Sequence, residues 1–238
     1  MLNSSKLNGP SQAPLSGGPA RQAIVFLHGY GADGNDLISL SSYFAESLPD
    51  AAFYSPHAPD SFELSSIGRQ WFTLRDYDPN LFLEDPSLLE NAFKNMYEGT
   101  KKSAVPLSNY LDDILNKLSL SPNALALVGF SQGTMMAMHV GLRRSPAVGA
   151  IIGFSGALIG GQYLAEESKT KPPILLVHGE KDDVVPLTAL TEMQRVLDAQ
   201  NIEYLSHIIP DHGHGIEQVG LTYARSFLHQ NFSGESSD

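Results

Sequence analysis

The sequence predicts a single α/β domain built on a mostly parallel central sheet with helices on both faces. Three observations carry that expectation. Short apolar runs rich in Val, Ile and Phe alternate with longer amphipathic stretches, the pattern of strands joined by crossover helices. Most of the apolar runs lack a polar alternation, as strands covered on both faces do. The length, 238 residues, suits one large core rather than two.

Taken in order, the strand candidates are AIVFLHG from Ala23, AAFYSPHAP from Ala51, ALALVGF from Ala124, AVGAIIGFSG from Ala147, PILLVHG from Pro173 and IEYLSHIIP from Ile202. Helical periodicity runs over Asn35 to Leu48, Leu88 to Leu118, Gln132 to Arg144, Leu187 to Ala199 and Ile216 to Leu228. Pro106 sits inside the second of these and lacks a backbone donor, so a kink or two helices is expected there. The stretch from Asp60 to Pro86 holds Trp71, Phe72, Tyr77, Leu81 and Phe82 among acidic and proline residues. It is too long for a plain connection and reads as a cap over a site. Residues 1–22, rich in Ser, Gly, Pro and Asn, read as a flexible tail, 23–230 as the domain, and 231–238 as a second flexible tail.

Composition excludes several classes. A formal charge of −11 opposes nucleic acid and anionic membrane surfaces, and no apolar run approaches the ~20 residues of a membrane span. Without cysteine there is no disulfide, thiolate nucleophile or cysteine-held zinc. The first residues carry no apolar segment of secretory type, so a cytoplasmic protein is expected.

One motif suggests chemistry. Gly129-Phe130-Ser131-Gln132-Gly133 fits G-x-S-x-G, the sharp strand-to-helix turn that exposes a nucleophilic serine. The bare pattern says little, but ALALV supplies the strand before it and QGTMMAMHVGL the helix after it. A turn of that kind also aims the amides at the helix start toward whatever Ser131 attacks, making the Gln132 N–H one oxyanion donor. The bland alternative is that Ser131 caps the helix. Met135, Met136 and Met138 read as helix core against the sheet.

Serine needs a base, and the base needs a carboxylate to fix its tautomer. In this kind of fold the chain order is serine, acid, histidine, each on a loop after a strand. His139 and His229 fall in helical patterns and His207 in a strand. His178 lies on the turn HGEKDDVVP, which also carries Glu180, Asp182 and Asp183; a histidine there precedes the acid and reads as a turn-shaping residue. The loop Asp211-His212-Gly213-His214-Gly215 leaves two candidates for the base, His212 and His214.

These motifs together resemble the phospholipase/carboxylesterase family of α/β hydrolases, which includes the acyl-protein thioesterases. The resemblance spans about Arg21 to Leu228. It rests on FLHGYGADGNDL, RQWF at Arg69 to Phe72, GFSQG, SGAL at Ser155 to Leu158, HGEKDDVVP and GHGI at Gly213 to Ile216, in that order. It implies the α/β-hydrolase fold, with the catalytic acid at Asp182 (Asp183 as understudy) and the base at His214. It also implies a second oxyanion donor at the backbone N–H of Tyr30, whose side chain is incidental to that role. Trp71, Phe72 and Val184 are implied as walls of the substrate groove.

The expected function is cofactor-independent and metal-independent hydrolysis of carboxylic esters with short to medium acyl chains through an acyl-enzyme. The small-molecule substrate is an ester or thioester. The alternatives are an acyl-protein thioesterase or lysophospholipase and, in another class, a non-catalytic binding module on the same fold. The resemblance allows a homodimer, for which the sequence contains no decisive patch.

Overall fold

A computed structural model describes residues 6–75 and 86–232. The strands are β1 (Ser11–Gln12), β2 (Gln22–Leu27), β3 (Ala51–Tyr54), β4 (Asp60–Ser61), β5 (Arg69–Gln70), β6 (Leu125–Phe130), β7 (Ala150–Phe154), β8 (Ile174–Gly179) and β9 (Leu205–Ile209). Seven of them form one sheet in the order β1-β3-β2-β6-β7-β8-β9, and β4 and β5 make a separate hairpin. Within the large sheet only β1 runs antiparallel to its neighbour.

The sheet is covered on both sides, as its apolar strands require. Along β2, Ala23, Val25 and Leu27 enter one core while Ile24 and Phe26 enter the other. This is the two-residue alternation of a strand whose two faces are both dry. The first core takes Leu107 and Leu111 from α3 (Pro86–Leu118), Met136 and Met138 from α4 (Gln132–Arg143), and Leu190 and Leu197 from α6 (Leu187–Ala199). The second takes Phe44 from α2 (Ser41–Ala45), and Leu221 and Phe227 from α7 (Gln218–Phe232). The remaining short helices are α1 (Gly34–Leu37) and α5 (Leu164–Glu167).

Three departures from the sequence reading have local causes. Residues 7–12 are held to the domain rather than part of a flexible tail: Leu7 is buried, Ser11 and Gln12 pair with Tyr54 and Phe53, and Asn8 and Pro10 accept hydrogen bonds from the amides of His57 and Ser55. The single helix expected over Asn35 to Leu48 is broken into α1, a 3₁₀ turn and α2. Hydroxyls of Ser41 and Ser42 bond back to the carbonyls of Ile38 and Ser39, where they compete with the regular helix ladder. At Pro106 the chain continues as one helix and not as two, because Ser103, Leu107 and Leu111 on either side are buried and hold it to the core. The segment read as a cap begins as the β4–β5 hairpin; its continuation over 76–85 lies outside the described residues, as do the C-terminal residues 233–238.

The parallel strands all point their carboxyl ends to one edge of the sheet. The loops after β2, β6, β8 and β9 therefore converge there, which is where ligands of open α/β sheets bind.

Candidate active site

Ser131 sits between β6 and α4 with φ 54° and ψ −117°, a left-handed conformation that costs a serine of order 1–3 kcal/mol. Two constraints hold it. Its N–H donates to Phe154 O at 2.9 Å, and the flanking glycines permit contacts no other residue would: a Cβ on Gly129 would lie 2.4 Å from Thr134 N, and one on Gly133 1.8 Å from Leu27 O. The capping alternative fails, since the Ser131 side chain makes no cap hydrogen bond. Its position lets Gln132 begin α4, where an amide has no intrahelical acceptor and the helix dipole favours negative charge.

The acid and the histidine come from the loops after β8 and β9. Asp182 Oδ1 accepts from the amides of Val184 (3.0 Å) and Val185 (2.8 Å), so the carboxylate is fixed by its own turn. His214 Nδ1 lies 2.8 Å from Oδ2 and 3.0 Å from Oδ1. Burial raises the Asp182 pKa, but the bonds from His214 and the Val185 amide, with the charge of His214, outweigh it and hold the carboxyl below its ordinary range. An ionised acceptor requires the proton on Nδ1, which leaves the Nε2 lone pair of the neutral imidazole free to take a proton.

Ser131 and His214 wall the same cavity of about 1000 Å³. Among the described residues Ser131 Oγ makes no hydrogen bond, to a helix cap or otherwise. The cavity runs from these two side chains between the 157–163 loop and α6, with Leu158, Ile159, Met193 and Val196 along its walls.

The other predicted residues divide. Tyr30 and Gln132 both border the cavity, as does Val184, which is 57% exposed at its rim. Trp71 and Phe72 do not: they are 0% and 2% exposed and stand behind the site, so their assignment to the groove is corrected. The reason is packing. Trp71 Nε1 donates to His28 O at 3.0 Å, its carbonyl accepts from Ser103 Oγ, and Phe72 lies against Gly99 of α3. Leu74, two residues further on, does reach the cavity, and so does Met135, read as core alone.

The other residues near the acid and the base have separate roles. Asp183 is exposed. His178 Nε2 bonds Val185 O at 2.8 Å and so holds the acid turn, while His212 pairs with Glu217 at 3.1 Å instead of with Asp182.

Two features near Tyr30 have no signal in the sequence. His28 is fully buried; its Nδ1–H donates to Gly29 O at 2.8 Å and its Nε2 accepts from the Ala58 amide at 3.0 Å. Burial pulls its pKa down to about 4, so it remains neutral and keeps that tautomer. The Tyr30 hydroxyl donates to Glu63, which also accepts from Thr73 Oγ1 at 2.6 Å and the Leu74 amide at 3.1 Å. Burial raises the Glu63 pKa, yet these donors together bring it below the usual range.

A parallel sheet of this order, with a serine on a strained turn after β6, an acid after β8 and a histidine after β9, defines an α/β hydrolase. The chain belongs to the phospholipase/carboxylesterase family, whose model matches residues 14–232. It is 26% identical over 212 residues to esterase YpfH of Escherichia coli K12, covering 88% of this chain and 83% of that protein. It is 28% identical over 179 residues to acyl-protein thioesterase 1 of Saccharomyces cerevisiae, covering 71% and 74%. The crystal structure of esterase PE8 superimposes with a TM-score of 0.85 at 37% identity, covering 94% of this chain and 98% of that one.

Among the described residues no helix is long and apolar enough to cross a membrane.

Proposed function

We propose that this hydrolase cleaves carboxylic esters of short to medium acyl chains through an acyl-enzyme on Ser131. The observation that carries the reading is the His214–Asp182 pair at 2.8 Å, opening into the same cavity as Ser131. Ser131 Oγ attacks the acyl carbonyl carbon as His214 Nε2 takes its proton. The amides of Tyr30 and Gln132 hold the resulting oxyanion, and Asp182 stays ionised to stabilise the imidazolium. Collapse of the adduct breaks the ester bond, and the departing alcohol takes the proton back from Nε2. Water then attacks the acyl-enzyme with His214 as base, releasing the acid and restoring Ser131.

The cavity supports the substrate class. Leu158, Ile159, Met193 and Val196 offer an acyl chain a dry wall, with each buried methylene contributing about 0.8 kcal/mol. Thioester cleavage is the second reading, favoured by the similarity to proteins named acyl-protein thioesterases.

The test is to quench turnover of p-nitrophenyl acetate and octanoate with acid and map the acyl group by mass spectrometry. Acyl label on the Ser131 peptide, absent from Ser131→Ala, is expected; turnover by Ser131→Ala at the wild-type rate would refute the proposal. A palmitoylated peptide carried in parallel separates thioester from ester preference.

A further inference from the structure

The two amides proposed to hold the oxyanion belong to different segments, Tyr30 on the loop after β2 and Gln132 at the start of α4. Their strands are in register up to Leu27 opposite Gly129, and the sheet ladder ends there. Beyond it, the two segments pack on each other at Gly29 and Gly133, and the stretch 69–72 is hydrogen-bonded to both. On one side this stretch is bonded to the Tyr30 loop: Gly31 N donates to Arg69 O at 2.9 Å, Arg69 N to Ala32 O at 2.8 Å, and Trp71 Nε1 to His28 O at 3.0 Å. On the other it is bonded to a single side chain. Trp71 N donates to Gln132 Oε1 at 2.9 Å, and Gln132 Nε2 donates to Phe72 O at 2.8 Å.

We propose that the Gln132 side chain is a positioning residue which, by clamping the Trp71–Phe72 backbone, sets the distance between the Tyr30 and Gln132 amides. The inference rests on the oxyanion hole proposed above. A primary amide suits the position because the clamp needs one acceptor and one donor on the same planar group. An ionised glutamate supplies only acceptors, and methionine or leucine neither bond. Gln132 and Trp71 are fully buried, so water cannot replace either bond, and a change at residue 132 must move the brace or leave Trp71 N–H and Phe72 O unpaired. The residue after the nucleophile thus has two roles, its backbone facing the reacting carbonyl and its side chain tied to the segment that carries the opposite donor.

Gln132→Met keeps the volume and removes both bonds; Trp71→Phe keeps an aromatic ring and removes only the bond to His28 O. With active sites counted by fluorophosphonate titration, kcat and KM for p-nitrophenyl acetate are measured beside inhibition by a trifluoromethyl ketone, which forms an oxyanion adduct with serine. The matching methyl ketone serves as a control. Removing an oxyanion donor outright costs about 10²- to 10³-fold, so displacing one should lower kcat by roughly 10- to 100-fold with KM within about twofold. Affinity for the trifluoromethyl ketone should fall by the same factor, while binding of the methyl ketone holds. Gln132→Glu should recover toward wild type as pH falls, because only its protonated carboxyl can donate to Phe72 O. Wild-type kcat in both variants, or equal losses for the two ketones, overturns the brace. If Gln132→Met does not fold, Gln132→Glu decides, its kcat relative to wild type rising as pH falls if the brace holds and staying flat if it does not. Wild type that neither titrates with fluorophosphonate nor binds the trifluoromethyl ketone overturns instead the active-site reading on which the brace depends.

Discussion

Replacing Asp182 by asparagine tests the geometry through a proton rather than a shape. Oδ1 is held by two amides, Val184 at 3.0 Å and Val185 at 2.8 Å, and both need an acceptor. The asparagine oxygen must therefore stay there, which turns its NH₂ toward His214 Nδ1, now 2.8 Å from a carboxylate oxygen. Two donors cannot face each other, so the imidazole is driven to the tautomer with its proton on Nε2, the nitrogen that should receive the proton of Ser131. The base is then protonated at the wrong atom although nothing has moved. A tautomer inversion of this kind costs about 10⁴-fold in kcat, close to 5 kcal/mol of activation free energy. The assay is kcat for p-nitrophenyl acetate beside a thermal melt, with circular dichroism to establish that the fold persists. An Asp182→Asn enzyme that is folded and within about 10-fold of wild type would refute the reasoning.

Three further outcomes follow from the same structure. Gly161 lines the cavity, and a Cβ there would lie 3.2 Å from Val196 Cγ2. Gly161→Leu should therefore cut kcat/KM for octanoate by roughly 10- to 100-fold while sparing acetate, and equal losses would count against the cavity as the acyl site. Burial lowers the His139 pKa from 6.5 to about 3, so the unfolded chain binds a proton there that the folded chain does not as pH falls from about 6.5 to about 3, and stability drops over that window. His139→Leu should flatten the urea-derived slope by about 1.4 kcal/mol per pH unit, and an unchanged slope would contradict the assignment. Phe72→Ala should destabilise by about 3–5 kcal/mol as a core truncation, whereas Val184→Ala, at an exposed rim, should stay within about 0.5 kcal/mol; the opposite ranking would return Phe72 to the groove.

What the sequence reveals follows from how local each cause is. The central strands β2, β3, β6, β7 and β8 are legible because both faces of each are buried, leaving unbroken apolar runs such as LALVGF. The helix Leu187–Ala199 is legible at both ends because Pro186 precedes it and its apolar stripe is regular. Ser131 is legible because the strain of its turn demands glycines at fixed offsets. The choice between His212 and His214 is not local. It depends on which imidazole meets Asp182 across the loops of β8 and β9, and the structure pairs His214 with Asp182 and His212 with Glu217. Trp71 and Phe72 mislead because an aromatic pair reads the same in sequence whether it faces a groove or a core. Glu63 gives no signal at all, since the groups that donate to its carboxylate come from residues 30, 73 and 74, which only the folded chain brings together.

Fluorophosphonate labelling, followed by mapping of the adduct, bears most directly on the claim that Ser131 is activated by His214 and Asp182. One adduct per chain on the Ser131 peptide is expected, formed orders of magnitude more slowly in His214→Ala, while His212→Ala labels at close to the wild-type rate. Wild type that stays unlabelled, or a His214→Ala variant that labels as fast as wild type, would contradict the account.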